Sequence, residues 1–291
     1  MSDIILRVLA RDAGVRVQVC IATELAREGA RRHGTSPLAS AALAYGLTAG
    51  ALFGGTLKVG QRIALKFAGD GPLEKMVIEA DAYGRVRGYV VHPELPSGDR
   101  IDAAAVADAI GDGLLTVAKD LRVGDLYHGT IALTGDGPEH DIARYVAQSE
   151  QIPSLLRLSV EMDDAGEIAV AGGLHVEVMP GHEAGVLSEL AAQLSAMPPL
   201  GDMLLAGSSP EEIVDRLLGE IDYLALETRQ VAFVCSCSHE RSRKALMVLG
   251  ADDILEMIVE GEAVIDCYFC HERYVFSANE LMAILDEMEA E

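Results

Sequence analysis

Phe233-Val234-Cys235-Ser236-Cys237-Ser238 and Cys267-Tyr268-Phe269-Cys270 decide how the C-terminal part of this chain folds. They set a Cys-x-Cys pair and a Cys-x-x-Cys pair at the two ends of residues 238–266. Four thiolates in two tight clusters are what a tetrahedral zinc site requires, and chance composition seldom supplies them. Two close ligands on each of two loops lose little closure entropy, and a helix from Arg241 to Leu249 is expected within the intervening loop. From Val231 to Glu291 the segment has only about sixty residues, few to rest on an apolar core alone, so a structural metal has something to stabilise. A last amphipathic helix is expected over Ala278 to Met288, with Ser277 as its cap.

Zinc would hold Cys235, Cys237, Cys267 and Cys270 as thiolates, a doubly negative centre. Arg241, Arg243, Lys244 and Arg273 flank the pairs, placed either to offset that charge or to stand in solvent on helix faces. His239 and His271 each lie beside a pair, but four thiolates complete the shell without them, so the all-cysteine set is expected. The same sulfurs are oxidisable. A disulfide needs Cα atoms about 4.4 to 6.8 Å apart, which Cys-x-x-Cys reaches in a turn and Cys-x-Cys only with a bent, reducible geometry. Zinc binding is worth about 10 to 16 kcal/mol against about 5 to 15 kcal/mol for a whole domain, so losing the metal should unfold the segment. On spacing alone, an inert zinc knuckle and a reversible redox sensor both remain open.

The chain has 291 residues and 50% hydrophobic content, enough for a sizeable core divided among two or more domains. Its net charge of -23 opposes phosphate backbones and anionic membranes, so neither nucleic acid nor membrane is expected as a partner. Met1 to Leu9 carries Asp3 within an apolar alternation instead of a basic leader, which points to a cytoplasmic protein without a secretory signal. In that compartment cysteines serve metal or redox chemistry more than structural disulfides. No charged residue lies between His33 and Lys58, a stretch long enough to span a membrane. Ser36, Pro37, Thr48 and Gly54-Gly55 dilute it and no basic flank follows, so a buried helix is expected. Cys20, in an expected strand, reads as a buried apolar residue.

Residues 1–179 carry an α+β pattern. Strands are expected at Ile4 to Leu9, Val15 to Ile21, Arg62 to Phe67, Lys75 to Ala80, Val86 to Val91, Leu114 to Lys119, Gly129 to Leu133, Leu155 to Glu161 and Ile168 to Val178. Helices are expected at Thr23 to Arg32, Pro37 to Phe53, Ala103 to Ile110 and Asp141 to Glu150. The Gly-Asp-Gly-Pro sequences at Gly69 and Gly135 read as turns, since neither leads into Gly-Lys-Ser/Thr. From Pro180 to Arg229 the chain reads as helical but broken by Pro and Gly. One helix spans Glu183 to Ala196, and a second starts at the capping box Ser209-Pro210-Glu211-Glu212. This stretch is either an ordinary packed connector or a segment of marginal stability.

Thr56-Leu57-Lys58, Gly69-Asp70-Gly71-Pro72-Leu73, Glu79-Ala80-Asp81, Gly84-Arg85-Val86-Arg87-Gly88-Tyr89, Gln148-Ser149-Glu150-Gln151-Ile152-Pro153, Gly172-Gly173-Leu174 and Val178-Met179-Pro180, with the cysteine pairs, resemble the heat shock protein 33 family of 33 kDa chaperonins. Val146, after Tyr145, departs from a position where the family often has an aromatic residue. The resemblance implies a redox-regulated, ATP-independent holdase chaperone of oxidative stress, not an enzyme. It implies a core domain over 1–179, a helical linker over 180–230 and a redox-switch zinc domain over 231–291. It implies one zinc ion on Cys235, Cys237, Cys267 and Cys270 in the reduced, inactive protein. Oxidation would join Cys235 to Cys237 and Cys267 to Cys270, release zinc, unfold zinc domain and linker, and yield a homodimer that captures unfolding client proteins. The alternatives are a binding module with a constitutive zinc knuckle and a dithiol or zinc enzyme. Four thiolates leave zinc no open position, and neither a nucleophile elbow nor a His-Glu-x-x-His helix is present in the sequence.

Overall fold

The computed structural model describes residues 2–96, 98, 100–180 and 185–290, in two compact units, residues 1–234 and 235–291. The first unit opens with a hairpin, β1 (Ile4–Ala10) and β2 (Val15–Ile21), followed by α1 (Thr23–His33) and α2 (Pro37–Gly54). Next come β3 (Arg62–Gly69), β4 (Lys75–Asp81) and β5 (Arg85–Val90), the expected antiparallel meander. Helix α3 (Ala103–Ile110), β6 (Gly113–Asp120), β7 (Tyr127–Ala132), α4 (Pro138–Tyr145), β8 (Ser154–Met162) and β9 (Ile168–Val178) complete the α+β pattern. The helix expected over Asp141 to Glu150 starts earlier, because Pro138 suits a first helical position. Beyond Tyr145 it widens into a π turn over Val146–Glu150, stopped by Gln151 in the left-handed region.

Three helices, α5 (Val186–Ala196), α6 (Leu200–Leu205) and α7 (Pro210–Leu218), follow, then β10 (Leu224–Gln230) and β11 (Ala232–Phe233). The helix expected from Glu183 is helical from Val186; residues 183 and 184 lie outside the described residues. The capping box forms as read: the Glu212 N–H donates to Ser209 Oγ at 3.2 Å and the Ser209 N–H to Glu212 Oε2 at 2.9 Å. The helical reading of 180–229 fails at its end. Gly219, at φ 60, stops α7, and Leu224–Gln230 pairs antiparallel with β1, from Ile4↔Gln230 to Leu9↔Leu224. Edge pairing satisfies the backbone groups that β1 would otherwise leave open.

One sheet is antiparallel in the order β10-β1-β2-β9-β8; the other runs β11-β5-β4-β3-β6-β7. Helix α2, apolar all round and buried from Ala39 to Gly54, lies against strands of both sheets. Close approach needs its glycines. A Cβ at Gly46 would meet Met76 Sδ at 2.8 Å, and one at Gly50 would meet Ile78 Cγ2 at 2.6 Å. The stretch weighed as a membrane span is thus a core helix of this unit. The opposite face of the first sheet presents Leu6, Val8, Val17, Val19, Leu174 and Val176, which pack against residues of α5–α7 such as Val186, Leu190, Met203, Ile213 and Leu217.

The second unit contains α8 (His239–Met247), α9 (Ala251–Glu260), the hairpin β12 (Glu262–Asp266) and β13 (Arg273–Ser277), and α10 (Ala278–Ala290). Where one helix was expected there are two, separated at Gly250, whose φ of 110 ordinary residues avoid. Six buried residues, Leu246, Ile254, Ala263, Phe276, Leu281 and Ile284, form its core.

His175 of β9 stands opposite Gln18 of β2 and 5.1 Å from the Phe53 ring, with neither ring nitrogen hydrogen bonded. Burial lowers its pKa to about 4, against the pull of Glu177, whose Oε1 lies 3.9 Å from Nδ1. An unfolded imidazole takes up its proton near pH 6.5 and the folded one only near 4, so between these values the unfolded state binds more protons. Stability carried by neutral His175 is therefore complete above pH 6.5 and falls as pH drops toward 4, by on the order of a few kcal/mol. Urea denaturation from pH 7 to 4.5 should show this slope, and His175→Gln should flatten it; an unchanged slope would refute the assignment.

Candidate metal centre

Strand β11 ends in backbone pinned by hydrogen bonds from Ala232 N–H to Gly84 O at 3.0 Å and from Val234 N–H to Val86 O at 2.9 Å. Gly84 permits this. Its φ is +78, and a Cβ there would lie 2.1 Å from Gln230 O. The chain then runs into Cys235, Ser236 and Cys237, and Ser238 caps α8 by accepting the Arg241 N–H at 3.2 Å. Arg241 Nη1 donates to Ser236 O at 2.8 Å and to Ser236 Oγ at 2.6 Å, tying the first turn of α8 to the residue between the two cysteines.

Cys267 and Cys270 sit in the turn that joins β12 to β13. The Cys267 N–H donates to Glu272 O at 3.0 Å, while the N–H groups of Cys270 and His271 donate to Cys267 O at 3.3 and 2.8 Å. His271 closes the turn at φ 56. One ligand atom from each of the four cysteines falls in a group whose members all lie within 4.8 Å of one another. Cys235 and Cys267 sulfurs are 3.7 Å apart, and those of Cys237 and Cys270 are 3.2 Å apart. A tetrahedral ion with Zn–S bonds of about 2.3 Å would set its sulfurs about 3.8 Å apart, so the cluster fits such an ion with shifts of about 1 Å or less. These two short separations run across the motifs. None of the five cysteines, all among the described residues, is joined in a disulfide.

Burial raises the thiol pKa of both Cys267 and Cys270, against hydrogen bonds from backbone N–H groups that favour their thiolates. Four thiolates so close together therefore need a cation, and a bound dication reverses this balance. The Tyr274 hydroxyl donates to Cys237 Sγ at 3.1 Å, and that bond, followed by desolvation, pushes the tyrosine's own pKa up.

The flanking cations divide. Arg243 pairs with Glu287, Lys244 Nζ lies 3.5 Å from Glu240 and Arg273 Nε 2.8 Å from Asp266, so these three serve carboxylates of the unit's surface. Arg241 alone of the four braces the sulfur loop. His239 stacks on Phe276 with ring centroids 4.2 Å apart and has Nε2 3.6 Å from Glu280 Oε1; neither it nor His271 belongs to the sulfur group. Cys20 is fully buried in β2, its pKa raised by desolvation, as an apolar core residue should be. Sequence reasoning missed Tyr274. Its signal was alternation along β13, which turns Tyr274 and Phe276 to one face and Val275 to the other.

Residues 3–277 match the family model described as Hsp33 protein. The chain is 41% identical over 290 residues to the 33 kDa chaperonin of Geobacter sp. (strain M21), covering 99% of this chain and 98% of that one. It is also 41% identical over 295 residues to that of Geobacter sulfurreducens, with 100% and 97% covered. The crystal structure of the 33 kDa chaperonin (heat shock protein 33 homolog) from Thermotoga maritima matches with a TM-score of 0.90 at 28% identity, and each chain is covered in full. Because the match runs through both units, from β1 to the end of β13 and across the four-sulfur cluster, the chain belongs to the Hsp33 family.

Proposed function

We propose that this protein is a chaperone switched by the oxidation state of Cys235, Cys237, Cys267 and Cys270: zinc-bound and inactive when reduced, an ATP-independent holdase when oxidised. The observation that carries the reading is a group of four converging side chains that offers sulfur donors alone. Soft thiolates in a tetrahedral set favour zinc, and four of them close its shell, which suits a structural ion and not an enzyme's open site.

Oxidation dismantles such a site. Four thiolates give up four electrons to two molecules of peroxide; with four protons they yield two disulfides and four waters, and the zinc ion is left without ligands. The pairs proposed are Cys235 with Cys237 and Cys267 with Cys270. Disulfides along the crossing separations of 3.7 and 3.2 Å would staple the ends of residues 238–266 together and keep the unit closed, whereas disulfides within each motif leave it free to open. With six buried core residues among those described, the unit would lose a large share of its stabilisation with the ion.

Residues 180–230 act in this reading as the responsive linker between a core of 1–179 and a zinc domain of 231–291. Helices of six to eleven residues are not stable alone and depend on packing. Their release would uncover the Leu6, Val8, Val17, Val19, Leu174 and Val176 face as a surface for unfolding client proteins. A net charge of -23 would keep client complexes soluble in the cytoplasm and disfavours nucleic acid or membrane as partners. The oxidised form is proposed to be a homodimer.

Peroxide with mild heat should convert the purified protein into a suppressor of aggregation of a denatured model protein; equal suppression by the reduced zinc form would count against the switch. Zinc content and free thiols followed in parallel should fall together, and peptide mapping should find both disulfides within motifs. Zinc kept at full occupancy after all four thiols are lost would contradict the linkage and favour a constitutive zinc knuckle.

A further inference from the structure

Tyr274 and Cys237 come from different parts of the second unit, yet the tyrosine hydroxyl donates to Cys237 Sγ at 3.1 Å. Three features fix its aim. The register of the hairpin, Ile265↔Tyr274 among five consecutive pairs, sets the height of the side chain. The ring of His239 meets Tyr274 edge-on at 6.3 Å, and His239 itself is stacked at 4.2 Å on fully buried Phe276, the next inward residue of β13. The strand that carries the hydroxyl leads out of the Cys267–Cys270 turn, whereas the sulfur that receives it belongs to the Cys235–Cys237 pair. One hydrogen bond thus links the two halves of the cluster through protein atoms.

We propose that Tyr274 is a positioning residue of the sulfur cluster, whose donated hydrogen bond holds Cys237 in its metal-ready place and lowers the nucleophilicity of that one sulfur. The inference rests on the zinc site proposed above. A donor to a ligating thiolate withdraws density from the lone pair that would attack an electrophile, and fixes the sulfur where the ion needs it. Tyr274 thereby favours the metal-bound state and slows attack by Cys237.

The test uses full-length, reduced, zinc-loaded protein and iodoacetamide, with which a sulfur forms an S–C bond as iodide leaves with the C–I electron pair. Labelling is read at each cysteine by mass spectrometry, and zinc affinity by competition with a chromophoric chelator. Tyr274→Phe, which keeps the ring, should speed Cys237 relative to Cys235, Cys267 and Cys270 and weaken zinc binding about tenfold. Site-specific 3-fluorotyrosine at 274, a stronger donor of nearly the same shape, should slow Cys237 below the wild-type rate. Unchanged rates, or equal acceleration of all four sulfurs with no effect of the fluorinated residue, would overturn the inference while leaving the zinc site intact. A wild-type protein that takes up no zinc would instead overturn the zinc site, and the inference with it.

Discussion

Four sulfurs gathered within 4.8 Å impose the constraint on which the C-terminal unit depends: they can be thiolates together only around a cation. Burial already holds Cys267 and Cys270 toward the neutral thiol, so ligation needs the ion's charge to reverse that preference. Around them are two helices, a two-stranded hairpin and a final helix, with a small core. Such a unit gains much of its stability from ligation when its own apolar burial is slight. The chemistry that makes thiolates good ligands also makes them the groups an oxidant reaches first.

A second physical asymmetry lies in the larger unit. Helix α2, buried on all sides, has no solvent face and is committed to the interior. Helices α5–α7 cover the other face of the first sheet with narrow apolar stripes, their remaining sides turned to water. One interior is therefore enclosed around a long helix buried on all sides, and the other is closed by short elements. Strand β10 follows those helices, and the chain passes through β11 directly into Cys235. In the proposed switch, that continuity is how a change at the sulfurs reaches the cover.

Much of the fold was legible because its signals were local. Alternation located β1, β2 and β9, an uncharged run located α2, and Ser209-Pro210-Glu211-Glu212 located the start of α7. What stayed hidden depends on distant partners. Leu224–Gln230 carries no strong turn signal and becomes a strand because β1 offers an open edge more than two hundred residues away in sequence. Helix α9, with apolar Ile254, Met257 and Ile258, starts just past Gly250, beyond the one helix expected in the loop over Arg241 to Leu249, and is not among the elements expected from sequence. The four candidate ligands were readable from spacing, and the structure brings all four together. Tyr274 was not, since its relation to Cys237 exists only once the hairpin register and the aromatic contacts are in place.

In the proposed switch, the state of the four sulfurs governs whether α5–α7 stay on the sheet. Hydrogen exchange resolved to peptides of 186–218 and of β1, β2 and β9, compared between reduced zinc-loaded and peroxide-treated protein, tests it directly. Protection across 186–218 should collapse once both disulfides have formed and zinc has left, while the paired strands keep theirs. Full protection of 186–218 in protein that has lost zinc and all four thiols would contradict the switch.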